Sequence, residues 1–368
     1  MDVKLSASRR LRRTPFSDGV EAAGVKAYTV YNHMLLPTVF ESVEADYHHL
    51  KKHVQVWDVS CERQVEIKGP DAARLMQMLT PRDLRQMEIG QCYYVPIVDE
   101  TGGMINDPVA VKLAEYHWWI SIADSDLLYW VNALANGWRL DVRVDEPDVS
   151  PLAVQGPKAE ALMARVFGEA VRDIKFFRYK MLPFQGKDLV VARSGYSKQG
   201  GFEIYVDGTE LGMPLWEALF AAGEDLDLRA GCPNLIERIE GGLLSYGNDM
   251  TDDHTPHECG LGRFCNTHTA IGCIGRDALL RVAKEGPVQQ IRSLEIEGGP
   301  VPACDRYWPL WANGKKVGRV SSAAWSPDFN TNVAIGMVRM THWDAGTRIE
   351  VEAPDGMRHA VVRDKFWI

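Results

Sequence analysis

The 368-residue chain has no Gly-x-Gly-x-x-Gly behind a strand-forming run, no Walker loop and no Gly-x-Ser-x-Gly elbow. Dinucleotide, nucleotide and serine-hydrolase chemistry each depend on one of those backbone cradles, so none of the three is supported. No Cys-x-x-Cys occurs among the seven cysteines (61, 92, 232, 259, 265, 273 and 304). Their odd number and wide scatter argue against a disulfide framework and a standard zinc site, and suit a reducing, cytoplasmic setting. No segment approaches the roughly 18 consecutive apolar residues of a membrane span, so no membrane association is expected. Basic residues are in the minority, 41 against 50 acidic for a net charge of −9. That balance weighs against nucleic acid as a partner and favours a cationic or zwitterionic ligand. "SRRLRRTPF" looks like a twin-arginine export signal, but "SDGVEAAG" follows where an apolar run is required, and a solvated basic arm is the better reading.

What is present is a chain with 46% hydrophobic and 25% charged residues, ordinary for a globular protein and long enough for two or three domains. "VEIKGPDAARLMQML" and "LAVQGPKAEALMARVF" form a faint internal repeat: a short strand, a Gly-Pro turn with Pro70 or Pro157 at the first helical position, then a helix. Ala72, Leu75, Met76 and Leu79 in one, and Ala159, Leu162, Met163 and Val166 in the other, share the i, i+3, i+4, i+7 spacing of a stripe laid on a sheet. Two related α+β units are expected. "QCYYVPIV" and "MINDPVAVKL" read as a hairpin around "DETGG", with "HWWISIA" and "LDVRVDE" as further strands. "LVVARSGYSKQGGFEIYV" reads as two strands joined by a glycine-containing loop, "PLWEALFAA" as a helix, and "NLIERIEGGLLS" as a helix running to Tyr246-Gly247. The polar stretch after it is a long loop of the kind that tends to carry function. Five β-type runs close the chain, with Asn313-Gly314 and Asp355-Gly356 as tight turns, and predict a small all-β domain.

Four side chains bear chemistry. In "GGMINDPVAVKL" an alternating pattern places Asp107 on the parity of Ile105, Val109, Val111 and Leu113, so an acid points inward where Pro108 interrupts the hydrogen-bond ladder. A buried acid at a local irregularity is a common active-site arrangement, against the alternative of an aspartate that caps a turn or pairs with a base. In "GFEIYV", Phe202, Ile204 and Val206 share one face and Glu203 and Tyr205 the other. An acid beside a ring suits a flat heterocycle with a donor edge; a solvated strand face is the competing reading. Arg238, near Leu235 and Ile239, is either a guanidinium for a ligand carboxylate or half of a surface ion pair. Three histidines and three cysteines crowd into "HTPHECGLGRFCNTHTAIGC", but the cysteine spacings of five and seven residues do not suit a metal, and buried thiols beside a loop are expected instead.

"VWDVS", "IKGPDAARLM", "GQCYYVPIVDETGGMINDPVAV", "ARSGYSKQGGFEIYV", "RIEGGLLSYGND", "TPHECGLG", "IGRDAL" and "VGRVSSAAWSP" together resemble, in order, the blocks of the glycine-cleavage T-protein family of tetrahydrofolate-dependent one-carbon transferases. The resemblance covers most of the chain. It implies an α+β protein of three domains in a cloverleaf-like ring: residues 1–50 with 146–270 as a first folate-binding domain, 51–145 as a second carrying Asp107, and 285–368 as a β-barrel-like third. By the same resemblance Asp107 matches the essential aspartate, Glu203 the acid that holds the pterin, Arg238 the arginine for the folate tail, and Tyr94 and Phe177 residues that wall the folate. No metal is implied.

"RRLRRTPFSDGVEAAGVKAYTVYNHMLLPTVF", "VQVWDVSCERQVEIKGPDA" and "NDPVAVKL" are similar to a branch whose members move a methyl group from the sulfonium of dimethylsulfoniopropionate to tetrahydrofolate. For that branch, the resemblance implies donor contacts at Tyr31, the backbone around Ser121 and Ile122, Tyr196 and Tyr205. Relatives often carry tryptophan where this chain has Tyr196, so the donor pocket is altered or the donor differs. The expected donor is a small zwitterion, and the sequence leaves room for a homodimer. Aminomethyl transfer in glycine cleavage, giving methylenetetrahydrofolate, is the alternative. A folate-binding iron–sulfur assembly role is weaker still, because the block "GYSKQGGFEIYV" lacks the reactive cysteine that such a role requires.

Overall fold

The computed structural model describes residues 8–269 and 271–368. The chain divides into two units: the described residues of Met1–Val65 with Glu146–Gly195 and Gln199–Asn234, and Glu66–Asp145 with Tyr196–Lys198 and Leu235–Ile368.

In the first unit, a six-stranded sheet runs in the order Tyr179–Phe184, Lys187–Ala192, Gly201–Asp207, Val149–Gln155, Val54–Asp58, Leu228–Gly231. All neighbours are antiparallel except the last pair. Helices Ala159–Phe167 and Gly212–Ala222 supply Leu162, Met163, Leu215 and Leu219 to a core shared with Val154, Val191, Phe202, Ile204 and Val206 of the sheet. Each such side chain, fully buried, contributes about 1.5–3 kcal/mol. A hairpin of Ala27–Tyr31 and Met34–Val39 turns through Asn32 and His33, both at positive φ.

The second unit holds a five-stranded sheet, ordered Arg143–Asp145, Gln64–Lys68, His117–Ser121, Val109–Ala114, Cys92–Tyr94. Helix Ala72–Leu79 buries Ala72, Leu75, Met76 and Leu79, the stripe that the spacing predicts. The same unit contains the C-terminal closed antiparallel barrel of Gln289–Ile296, Thr331–Arg339, Lys315–Ser326, Trp308–Ala312, Arg348–Ala353 and Gly356–Val362. It closes where Leu294 pairs with Val362. The mixed α+β class and the terminal β domain are as expected.

The internal repeat extends to its turns. Gly69 (φ +140°) and Gly156 (φ +118°) adopt backbone that side chains rarely take, and a Cβ on either would lie 2.4 Å from a backbone oxygen, of Asp141 and His53 respectively. Only glycine fits such an approach.

Four local expectations need correction. Pro70 and Pro157 lie in the turns, two residues before helices that begin at Ala72 and Ala159. The segment from Met104 to Leu113 is not one strand: Met104–Asn106 pairs with Ile97–Val98, while Val109–Ala114 joins the five-stranded sheet. Pro108, with no N–H to offer, separates them. Consequently Met104 and Asn106 are buried and Ile105, Asp107 and Val109 half-buried, the reverse of the alternation expected there. The helix at residue 235 is short, Leu235–Glu240, and ends in a Schellman turn at the glycine pair: Gly242 (φ +63°) donates to Ile239 O, and Leu243 donates to Arg238 O at 2.8 Å. Finally, the barrel strand Trp308–Ala312 escapes the alternation pattern because Pro309 sits inside it.

Candidate active site

In the second unit, a break in strand pairing exposes a carboxyl to its neighbours without giving it a place in a ladder. Tyr94, last residue of Cys92–Tyr94, donates its hydroxyl to Asp107 Oδ2 at 2.7 Å. Asp107 Oδ1 is sealed from solvent and has no hydrogen-bond partner among the described residues. Burial pushes the Asp107 carboxyl up to about 7; the Tyr94 hydrogen bond pulls the other way, and the charge of Asp249 adds to the rise. Burial also holds the Tyr94 phenol well above its ordinary value, and the adjacent Asp107 adds to that. The pair therefore shares a proton-accepting oxygen near neutral pH and a donor that stays protonated. Tyr94 stands edge-on to Phe264, ring centres 5.3 Å apart. The two strand ends are aligned by Asp99, whose Oδ1 accepts from Thr101 and Gly103 and so closes the turn of that hairpin.

Arg238 is not on the surface. The Schellman turn folds its side chain under the following loop, where Nη1 donates to Asp249 Oδ2 at 2.9 Å and to Leu243 O at 3.2 Å, and Nη2 donates to Ser322 Oγ at 2.6 Å. Asp249 accepts further bonds from Ser245 N, Ser321 Oγ and Ser322 Oγ. Burial works most strongly against the Arg238 charge, and Asp249 with Tyr196 together outweigh it, so the guanidinium is held above its ordinary value. The surface ion pair considered for Arg238 is thus a buried one, with a partner that sequence reasoning missed. Its signal was modest: an aspartate in "YGND" directly after a helix end. Tyr196, in the same unit, is half-buried and donates to the carbonyls of Leu243 and Leu244 at 2.9 and 2.7 Å. Ser121 ends the strand His117–Ser121 opposite Val109, and both Ser121 and Ile122 are buried.

In the first unit, Phe202, Ile204 and Val206 enter the core and leave Glu203 and Tyr205 on the other face, as the alternation predicts. That face is not solvated: Glu203 is 7% and Tyr205 1% exposed. Glu203 sits opposite Ala153 and Ala192, and Ser194 Oγ donates to its Oε2. Burial raises the Glu203 carboxyl against the Ser194 hydrogen bond. Phe177 occupies the left-handed region at φ +55°, held by its N–H donating to Arg193 O at 2.9 Å. A bulky residue there stores strain of about 1–3 kcal/mol. Tyr31 is half-buried at the end of Ala27–Tyr31.

The seven cysteines are free thiols, five of them buried. Among the described residues, no three metal-ligating side chains come together. No helix there is long and apolar enough to cross a membrane.

Two family models match the chain: the GCVT N-terminal domain over residues 16–269 and the glycine cleavage T-protein C-terminal barrel domain over residues 289–367. Dimethylsulfoniopropionate demethylase DmdA of Ruegeria pomeroyi is 67% identical over 360 residues, 98% of each chain. An aminomethyltransferase of Caldanaerobacter subterraneus subsp. tengcongensis is 29% identical over 337 residues, 90% of this chain and 89% of its own. Among solved structures, the glycine cleavage system aminomethyltransferase T from Bartonella henselae matches with a TM-score of 0.87 at 25% identity, over 97% of this chain and 98% of that one.

Proposed function

The chain belongs to the glycine cleavage T-protein family, and from that premise we propose that it is a tetrahydrofolate-dependent methyltransferase that demethylates dimethylsulfoniopropionate. The observation that carries this reading is the near full-length identity to a demethylase of that substrate, more than twice the identity to the aminomethyltransferase of Caldanaerobacter subterraneus.

The residues present fit a reduced folate. Asp107 Oδ1 is a buried acceptor without a donor, which an N–H of a ligand would satisfy. Glu203 is a second buried carboxyl, with Ser194 donating to its Oε2, and it suits the paired N–H edge of a pterin. When bound, tetrahydrofolate supplies the nitrogen, N5, that accepts the methyl group.

A sulfonium methyl is already activated. Sulfur keeps the bonding pair and leaves as a neutral thioether, methylmercaptopropionate, so the protein needs no redox chemistry and no strong acid. Alignment, exclusion of water and a place for one proton remain. Asp107, with a carboxyl near 7, takes that proton at an oxygen, and Tyr94 keeps the carboxylate oriented. Glu203 fixes the heterocycle, Arg238 holds the anionic tail with the donors that Asp249 and Ser322 leave over, and Tyr94 and Phe177 wall the ring. Tyr31, Tyr196 and Tyr205 offer ring faces to the donor cation at roughly 0.5–2 kcal/mol each, beside the backbone of Ser121 and Ile122. The tryptophan-to-tyrosine departure at Tyr196 keeps such a face.

The test is to incubate the protein with tetrahydrofolate and dimethylsulfoniopropionate and follow the thioether by mass spectrometry. Stoichiometric methylmercaptopropionate is expected. Its absence, with ammonia released from an aminomethylated lipoyl carrier instead, would overturn the reading in favour of glycine cleavage.

A further inference from the structure

Arg82 and Arg263, both in the second unit, share one aromatic ring. The guanidinium carbon of Arg82 lies 5.0 Å from the centre of Phe264 and 4.0 Å from that of Tyr93, and the guanidinium carbon of Arg263 lies 4.8 Å from Phe264. Phe264 is the ring that stands edge-on to Tyr94, which in turn holds Asp107. Arg82 is tied in place by Nη1 donating to Tyr94 O at 2.6 Å. It is half-buried, whereas Arg263 is exposed.

Two like charges against one ring repel, and no carboxylate among the described residues offsets them. The chain carries 50 acidic residues against 41 basic, yet neither arginine forms an ion pair with a carboxylate among the described residues, although Arg85, three residues from Arg82, is closed onto Asp83. Burial lowers the Arg82 guanidinium from its ordinary value; Tyr93 works against that and Arg263 adds to it. Aromatic faces hold guanidinium planes by their flat sides and leave the N–H edges free, the presentation that suits a carboxylate taken in a fork. Arg238 is paired with Asp249 and offers one tail carboxylate only its remaining donors, so a second ligand carboxylate calls for another cation.

We propose that Arg82 and Arg263 form a carboxylate-recognition site beside Tyr94 and Asp107. This rests on the methyltransfer reading, under which two ligands bring carboxylates: the glutamyl tail of the folate and the propionate of the methyl donor. Both sources present the same group, and the experiment separates them.

Arg82→Gln, Arg263→Gln and their lysine counterparts are titrated with 5-formyltetrahydrofolate, as the monoglutamate and as the triglutamate, by calorimetry. The KM for dimethylsulfoniopropionate is measured on the same preparations. If the tail is the source, folate affinity falls at least fivefold in the glutamine variants, more for the triglutamate, with the donor KM unmoved. If the donor is the source, its KM rises at least fivefold and folate affinity holds. In either case lysine rescues in part, since it keeps the charge and loses the fork. Arg263 is exposed, so Arg263→Gln carries the test should loss of the Tyr94 contact unfold Arg82→Gln. Folate affinity and donor KM both within twofold of wild type in Arg263→Gln would overturn the proposal. A wild-type protein that releases no thioether from the donor sinks the methyltransfer reading instead, and the folate titration still decides the tail.

Discussion

At Asp107 the chain keeps a carboxyl that its surroundings oppose. Its value in the fold, about 7, stands above the ordinary 3.8, so the protonated form is favoured by folding. The associated stability is complete below the ordinary carboxyl range and drains away as pH climbs through 7. Asp107→Asn, which cannot ionise, should therefore melt a few degrees above wild type at pH 8 and close to it near pH 4, in paired thermal scans, while losing most methyl transfer. Tyr94→Phe removes the hydrogen bond that lowers this carboxyl. The ascending limb of its kcat profile should move alkaline by about one pH unit, the size of one charged hydrogen bond; an unmoved limb would separate Tyr94 from the proton's path. Glu203→Gln keeps the shape of the site and loses the acceptor pair, and calorimetry should find folate binding weakened roughly tenfold or more. The inward face shared by Glu203 and Tyr205 was legible because strand alternation is a local signal, whereas at Asp107 the alternation misled and only the proline beside it marked the break. Asp249 was not legible: the serines that bury it, Ser321 and Ser322, stand 72 and 73 positions away, a distance that no window of sequence spans.

Among the elements, the short helix Leu235–Glu240 shows how backbone chemistry sets the position of a charge. Its apolar spacing runs on past residue 240, and the longer helix expected from that spacing is cut by the glycine pair. Gly242 supplies the left-handed residue of the Schellman turn, and a Cβ there would also meet the Phe366 ring at 2.4 Å. Gly242→Ala should cost about 1–3 kcal/mol in denaturant unfolding, the strain of the left-handed backbone plus the displaced ring, and should disturb the Arg238–Asp249 pair. A variant as stable as wild type would show that the turn does not set the arginine. Cys92–Tyr94 and Val109–Ala114 were readable as a pair, but the loss of pairing at Asp107-Pro108 follows from one missing N–H, and it is this loss that frees the acid. Trp308–Ala312 was hidden by a proline that barrel pairing tolerates opposite Arg319.

For the molecule as a whole, the class of fold came from periodicity and the repeat, whereas the order of strands came only with the structure. Val54–Asp58 pairs with Val149–Gln155, far along the chain, and forms a parallel neighbour with Leu228–Gly231; such pairings depend on packing that alternation does not encode. The proposed methyl transfer is tested at this scale too, since it draws on Asp107, Glu203 and the tyrosine rings of the same chain. Its central claim is that a methyl group moves intact, without oxidation or reduction. The direct measurement supplies dimethylsulfoniopropionate with fully deuterated S-methyl groups and weighs the folate product. The account predicts 5-methyltetrahydrofolate carrying all three deuterons on its new carbon. A methylene product carrying two, or an unlabelled folate, would contradict it.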